Sequence, residues 1–221
     1  MSGGRFRCPI VFRGPNGAAA SVSCQHSLNV ESLYAHLPGC IVLSPSNAYD
    51  AKGLLKSAIR NDNPVLFLEN ELMYGLKGEV PKGEYTVPLG KAHIQREGTD
   101  LTLIAYSRML VYCEEVAEVL AKRGISVELI DLRTIKPMDV GTLAESVRKT
   151  GRCVVVEEGH IFAGICAEVI ATLQQHCFDY LDAPIGRVCQ RETPLPYSPK
   201  IEKESIPNVK RILKEVESVL E

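Results

Sequence analysis

The chain has 221 residues, 45% of them hydrophobic and 24% charged, with 25 basic against 27 acidic side chains and a formal net charge of -2. That length is enough to bury a core in one large domain or two small ones, and the even mixture of charges leaves no basic footprint for nucleic acid or an anionic membrane. No apolar stretch is long enough to span a bilayer, and Met1-Ser2-Gly3-Gly4 lacks signal-peptide or transit-peptide character.

In chain order, Pro9 to Phe12 is a short apolar run expected to form a buried strand, and Gly14-Pro15-Asn16-Gly17 after it predicts a sharp turn at the strand's carboxyl end. In an open α/β sheet that edge is where ligands bind, although Gly, Pro and Asn also dominate ordinary turns. A helix around Ser32 to His36, a strand at Ile41 to Leu43, a helix from Ala48 to Arg60 capped by Ser46 or Asn47, and a strand at Val65 to Glu69 continue the alternation of a parallel sheet. Tyr74 to Leu89 loses all periodicity and reads as a surface linker.

Beyond the linker, strands are expected at Leu101 to Ala105, Ser126 to Asp131, Cys153 to Glu157 and Ile185 to Val188, with helices at Val111 to Arg123, Val140 to Lys149, Ala163 to His176 and Val209 to Leu220. Such strands, buried on both faces, make a doubly wound parallel sheet. Gly124 and Gly151 stand where helix carboxyl caps are expected, and Lys136-Pro137-Met138-Asp139 separates two elements. The eight cysteines never form Cys-x-x-Cys and read as buried, reduced thiols. Among the histidines, His36, His93 and His176 read as structural. His160, in Glu157-Glu158-Gly159-His160-Ile161-Phe162-Ala163-Gly164, sits where an interface, a ligand or a plain loop would all fit. Gly159 and Gly164 would suit a phosphate cradle before a helix, but the dinucleotide fingerprint Gly-x-Gly-x-x-Gly is absent.

Phe12-Arg13-Gly14-Pro15-Asn16-Gly17-Ala18-Ala19-Ala20 followed by Gln25-His26-Ser27 resembles the beta subunits of the thiamine-diphosphate-dependent pyruvate dehydrogenase family. The resemblance continues through Asp50-Ala51-Lys52-Gly53-Leu54-Leu55-Lys56-Ser57-Ala58-Ile59-Arg60, Glu69-Asn70-Glu71-Leu72-Met73-Tyr74-Gly75, Arg133-Thr134-Ile135-Lys136-Pro137-Met138-Asp139, Leu181-Asp182-Ala183-Pro184 and Pro194-Leu195-Pro196-Tyr197. It therefore spans essentially the whole chain. Arg13-Gly14-Pro15-Asn16-Gly17 favours the pyruvate enzymes over the related branched-chain 2-oxo acid enzymes.

The resemblance implies an α/β chain with a partial transketolase-like pyrimidine-binding domain at 1–73, a linker at 74–89 and a transketolase carboxyl-terminal domain at 90–221. "Partial" is part of the expectation, because the family's activating glutamate lies upstream of the Phe12 motif and nothing before Pro9 matches it; the chain alone is expected to be inactive. The cofactor implied is thiamine diphosphate with Mg2+, shared with an alpha subunit in an alpha-two beta-two heterotetramer. His26 corresponds to the family's active-site histidine, with a role in proton handling or electrostatic steering. A lone histidine is more often structural, so it is the resemblance that singles His26 out, with Gln25 and Ser27 as neighbours able to fix its tautomer. A structural K+ site maps onto Ile10, Ala58, Ile59, Asn61 and Asn63, with Asn61 departing from a common family aspartate. The residues themselves equally suit a capped helix end. Asp182 matches a position that contacts the subunit-binding domain of the dihydrolipoyl acetyltransferase. A mitochondrial matrix location is implied, with plastid or bacterial cytoplasm as alternatives. A non-catalytic docking scaffold is the competing functional reading.

Overall fold

The computed structural model describes residues 3–221. The elements are β1 (Val11–Asn16), α1 (Glu31–Ala35), β2 (Ile41–Leu43), α2 (Ala48–Ile59), β3 (Val65–Asn70), β4 (His93–Arg96), β5 (Leu101–Ala105), α3 (Arg108–Ala121), β6 (Val127–Asp131), β7 (Thr134–Lys136), α4 (Val140–Thr150), β8 (Cys153–His160), α5 (Ile165–Cys177), β9 (Gly186–Gln190), α6 (Pro199–Ser205) and α7 (Val209–Leu220). They form two sheets, one of four strands in the order β1-β3-β2-β7 and one of five in the order β4-β6-β5-β8-β9. β1, β3 and β2 run parallel, as do β6, β5, β8 and β9. The architecture is mixed α/β with mostly parallel sheets, as expected from the alternation of apolar runs.

Burial explains why the second sheet is doubly wound. Leu103, Leu129 and Val154 point to one face, where α3 and α7 bring Met109, Val116, Ile212 and Val216. Their neighbours Ile104, Ile130 and Val155 point to the other, against Leu143 and Val147 of α4 and Val169 and Leu173 of α5. Successive strand residues alternate faces, so a strand covered on both sides is mostly apolar along its length, and the buried Thr102, Glu128 and Glu157 are held by hydrogen bonds. Val42, Leu66 and Leu68 of the first sheet join that second core, while Leu43, Val65 and Phe67 turn to Leu54 and Ala58 of α2. The two sheets thus share one continuous apolar layer.

Local chemistry sets the helix ends. The Asn47 side chain accepts from the Asp50 amide at 2.8 Å and starts α2, and Asp139 and Asn208 do the same for α4 and α7. Gly124 and Gly151 adopt left-handed φ values of +81° and +68° after α3 and α4, which a side chain would resist.

Four expectations need correction. β1 runs through Gly14-Pro15-Asn16, paired to β3 as far as Asn16↔Asn70, and the turn begins only at Gly17, whose φ is +85°. Pro15 is tolerated because β1 pairs with β3 alone and its other edge needs no amide. The run from Pro9 to Phe12 is also not buried, Ile10 being 46% and Phe12 55% exposed. The segment 74–89 is more than a surface linker: Val87 is buried with Leu54, its carbonyl accepts from Ser57 Oγ at 2.5 Å, and Tyr85 stacks on Tyr49 at 4.6 Å. Of the eight cysteines, Cys8 and Cys24 are exposed and Cys40 is half-buried; the other five are buried, where burial pushes the Cys113 thiol well up.

The most consequential element absent from the sequence reading is β7. It follows β6 of the second sheet yet pairs antiparallel with β2 of the first, Val42↔Lys136 and Leu43↔Thr134. The crossing is made by Arg133, at a φ of 53°. Its guanidinium meets the buried Asp50 carboxylate at 3.0 Å and donates to the carbonyls of Lys91 and Ala92 at 3.2 and 3.1 Å. One side chain therefore binds α2, the segment before β4 and the β6–β7 turn together.

Candidate functional site

The carboxyl ends of β1, β2 and β3 lie side by side, and the segment leaving β1 wraps over them before returning to α1. Gly17 donates its amide to the Leu28 carbonyl at 2.9 Å, closing residues 17–28 into a loop. A short 3-10 turn, Cys24–His26, carries His26 to an exposed position on that loop. His26 faces a pocket of about 400 Å³ lined also by Asn16, Gly17, Val22, Leu28 and Glu71. The expected neighbours do not hold its ring: Gln25 donates to the Tyr197 hydroxyl at 2.8 Å, and Ser27 Oγ is buried without a hydrogen-bond partner. Both flank His26 in sequence, but the tight turn sends successive side chains in different directions.

The floor of this loop is built from carboxylates. Glu158, at the end of β8 in the second sheet, accepts from the Ala18 amide at 2.5 Å through Oε1 and from Asn70 Nδ2 at 3.0 Å through Oε2. Asn16 accepts from the Val30 amide at 2.9 Å and donates to Glu31 Oε1 at 2.7 Å. Burial pushes the Glu31 carboxyl up to about 7, opposed by the bond from Asn16 and reinforced by Glu157 and Glu158. Burial likewise raises Glu158 to about 7 against its bond from Ala18. Arg13, on the outer side of β1, grips Glu69 of β3 with two bonds of 2.8 and 3.0 Å, so it braces the strand pair and does not enter the His26 pocket.

Glu157, one residue before Glu158, disposes of the phosphate cradle. Its carboxylate already accepts from the Ile165 and Cys166 amides at 2.9 and 3.1 Å and from the Tyr106 hydroxyl at 3.1 Å, so the start of α5 is capped from within. Gly164 is required because any side chain there would strike Glu157 and the His160 carbonyl. His160 itself turns to the far side, its Nδ1 at 3.1 Å from the Arg191 carbonyl.

The residues expected to hold a cation lie at the end of α2, on the loop after it and beside the start of β3. The Val65 amide donates to the Ile10 carbonyl at 2.9 Å, which sets Ile10 beside the loop joining α2 to β3, and the Asn61 amide donates to the Ala58 carbonyl at 3.1 Å. Ile59, the last residue of α2, and Asn63 on the loop are both exposed. Asn61 Oδ1 accepts from both the backbone and the side-chain nitrogen of Asn63, at 2.8 and 3.1 Å, which closes an Asx turn. Asp182 is far from this cluster, exposed, with its amide held by the Gly151 carbonyl at 2.8 Å.

Sequence comparison agrees with this geometry. Residues 1–77 match the transketolase pyrimidine-binding domain and residues 90–212 the transketolase C-terminal domain. The chain is 50% identical over 220 residues to the pyruvate dehydrogenase E1 component subunit beta of Rhizobium meliloti, covering 99% of this chain and 48% of that one. It is 47% identical over 219 residues to the corresponding subunit of Rickettsia bellii, covering 99% and 67%. The chain belongs to the pyruvate dehydrogenase E1 beta-subunit family. Mitochondrial members match as well, the beta-1 subunit of Oryza sativa being 48% identical over 218 residues, 97% of this chain and 58% of that one. This family member thus spans between about half and two thirds of the length of these relatives. A solved split-gene transketolase, an inactive beta4 tetramer, superposes with a TM-score of 0.78 at 20% identity over 97% of this chain and 67% of its own, which shows the shared fold. No helix among the described residues is long and apolar enough to cross a membrane.

Glu31, Glu158 and Asn70, which frame the loop of this family member, escaped the sequence reading as site residues. The only signal for Glu158 was a pair of acids ending an otherwise apolar strand run.

Proposed function

We propose that the chain is the beta subunit, or a large part of it, of a pyruvate dehydrogenase (acetyl-transferring) that decarboxylates pyruvate oxidatively and passes the acetyl group to lipoamide. The observation that carries this reading is His26 on a loop over the carboxyl edge of a parallel sheet, facing an open pocket, in a chain about half identical to named beta subunits over nearly its full length. Residues 1–73 and 90–221 are proposed as the pyrimidine-binding and carboxyl-terminal domains, joined by 74–89. The proposed cofactor is thiamine diphosphate with Mg2+, shared with an alpha subunit in an alpha-two beta-two assembly. When bound, it supplies an electron sink for the carbon that loses carbon dioxide. The pocket fits part of such a group, with apolar Val22, Leu28 and Val30 beside polar Asn16 and His26. His26 is proposed to move a proton at the mouth of that pocket and to steer the incoming lipoyl group. Because the cofactor is shared, the chain alone is proposed to be inactive.

A structural K+ would be held by main-chain oxygens around Ile10, Ala58, Ile59, Asn61 and Asn63. Neutral carbonyls suit a hard, weakly held cation, and the Asn61 side chain is engaged in its own turn, leaving its carbonyl as the ligand. Asp182 is proposed to pair with a basic residue of the acetyltransferase's subunit-binding domain. The proposed compartment is the mitochondrial matrix or a bacterial cytoplasm, since relatives of both kinds match.

The test is co-expression with an alpha subunit and a comparison of pyruvate with 2-oxoisovalerate in carbon dioxide release and acetyl transfer. Pyruvate is the expected substrate, and His26→Ala is expected to lower turnover by roughly 10²–10⁴-fold. Unchanged rates of both steps in the variant would remove His26 from the mechanism.

A further inference from the structure

We propose that Glu158, contributed by the second sheet, is the positioning residue that holds the His26 loop in its working geometry, and that it does so only as a carboxylate. The inference rests on the reading of His26 given above. Its geometric basis is that each oxygen of Glu158 faces a committed donor. Oε1 meets the Ala18 amide at 2.5 Å. Oε2 meets Asn70 Nδ2 at 3.0 Å, and Asn70 cannot turn its amide over because its Oδ1 accepts from the Leu72 amide at 3.1 Å. A proton on either oxygen takes one of its lone pairs and leaves it a poorer acceptor, so one of the two bonds is weakened. The Glu158 carbonyl adds a third tie, accepting from Asn29 Nδ2 at 3.4 Å at the far end of the same loop. Gly17 fits this arrangement closely: a methyl there would lie 2.8 Å from Glu158 Oε1 and 2.9 Å from Asn70 Nδ2. The first residue of the loop is bare because the carboxylate occupies the space.

Charge around Glu158 makes the tie sensitive to protons. Facing it are Arg108 at the start of α3, which favours the anion, and Glu202 of α6, which disfavours it; Glu31 of α1 lies close enough to feel its charge, and Glu157 adjoins it on β8. Arg108 Nη1 is buried without a hydrogen-bond partner and its Nη2 donates to the Tyr112 hydroxyl, so Arg108 favours the anion without bonding it directly. Full burial of the carboxylate pushes it up to about 7. Near neutral pH the loop thus alternates between a state tied firmly at both oxygens and one in which a tie is weakened.

The experiment needs no catalytic assay. In the whole 221-residue chain, labelled with ¹⁵N and ¹³C, the Ala18 amide resonance is expected to titrate with a midpoint near pH 7 in step with the Glu158 side-chain carboxyl carbon. In Glu158→Gln the Ala18 titration is expected to vanish, and amide exchange across residues 18–27 at pH 8 to rise about tenfold while β5 keeps its protection. Asn70→Ala guards against loss of folding in that variant. It removes a donor to the anion, and the midpoint is expected to move upward. An Ala18 resonance that does not move between pH 5.5 and 8.5, wild-type exchange in Glu158→Gln, or an unmoved midpoint in Asn70→Ala overturns the proposal. His26→Ala should leave the Ala18 titration intact, so failure of the His26 reading is separable from failure of this one. In the assembled enzyme the acid limb of turnover is expected to flatten in Glu158→Gln, and an unchanged limb counts equally against the positioning role.

Discussion

Gly17 shows how one backbone position can join a loop, a sheet and a distant acid. Its φ of +85° places it where side chains are strained, and its missing Cβ leaves room for Glu158 and Asn70. Gly17→Ala is expected to meet both penalties, about 1–3 kcal/mol for the backbone and a displaced Glu158 in addition. Thermal unfolding of the variant measures this, and a wild-type Tm would mean that the carboxylate is free to move. A similar residue-scale test applies to the cation loop. If carbonyls around Ile10 and Ala58 hold K+, exchanging KCl for NaCl at equal ionic strength lowers Tm by a few degrees, in line with loss of a bound ligand. Identical melting in the two salts would leave these residues as a capped helix end and nothing more.

At the scale of elements, the two sheets are held in register by the β6–β7 crossing, and Arg133 is its centre. Asp50 is almost wholly buried and Asp131 is fully buried, while the Arg133 guanidinium binds the first and its amide donates to the second at 3.0 Å. Arg133→Met would leave a buried carboxylate without its partner, a loss of about 3–5 kcal/mol. Adding Asp50→Asn should recover part of it, a coupling that a double-mutant cycle in urea measures; strict additivity would show that the pair does not act as a unit. Sequence periodicity revealed β2, β5 and α7 to the residue, because burial on one or both faces stamps a repeat on the chain. It could not reveal β7, whose three residues follow a strand of one sheet and pair with another, since nothing local records the partner. The same limit applied to the site. His26 was legible through a motif in one stretch of chain, whereas Glu158 acts on Ala18 across 140 positions, and its local setting reads only as the polar end of an apolar strand.

At the scale of the whole molecule, three of the buried carboxyls among the described residues, Glu31, Asp131 and Glu158, are raised to about 7 chiefly by burial. A raised carboxyl binds its proton more tightly in the folded chain, so its stabilising effect is complete below the unfolded range near 4 and is lost as pH rises through about 7. Glu128 and Asp139 are shifted the other way by Lys149 and Thr142, and they withdraw stability only when pH falls below the ordinary carboxylate range. His93, on the exposed strand β4 and lowered chiefly by desolvation and then by Arg133, opposes the trend weakly as pH rises toward the ordinary histidine range. The balance places greatest stability on the acid side of neutrality. Each of the three raised groups loses on the order of 1 kcal/mol between pH 6 and pH 8, a few kcal/mol together. With an m-value of about 2–3 kcal/mol/M, the urea midpoint should be higher at pH 6 by about 1–2 M. Glu31→Gln keeps an oxygen to accept from Asn16 but has no proton to lose, so it should remove about a third of that shift and stabilise the fold mainly at pH 8. A midpoint that rises from pH 6 to pH 8 would mean that these carboxyls are ionised in the folded chain well below neutrality, with water or a cation reaching them.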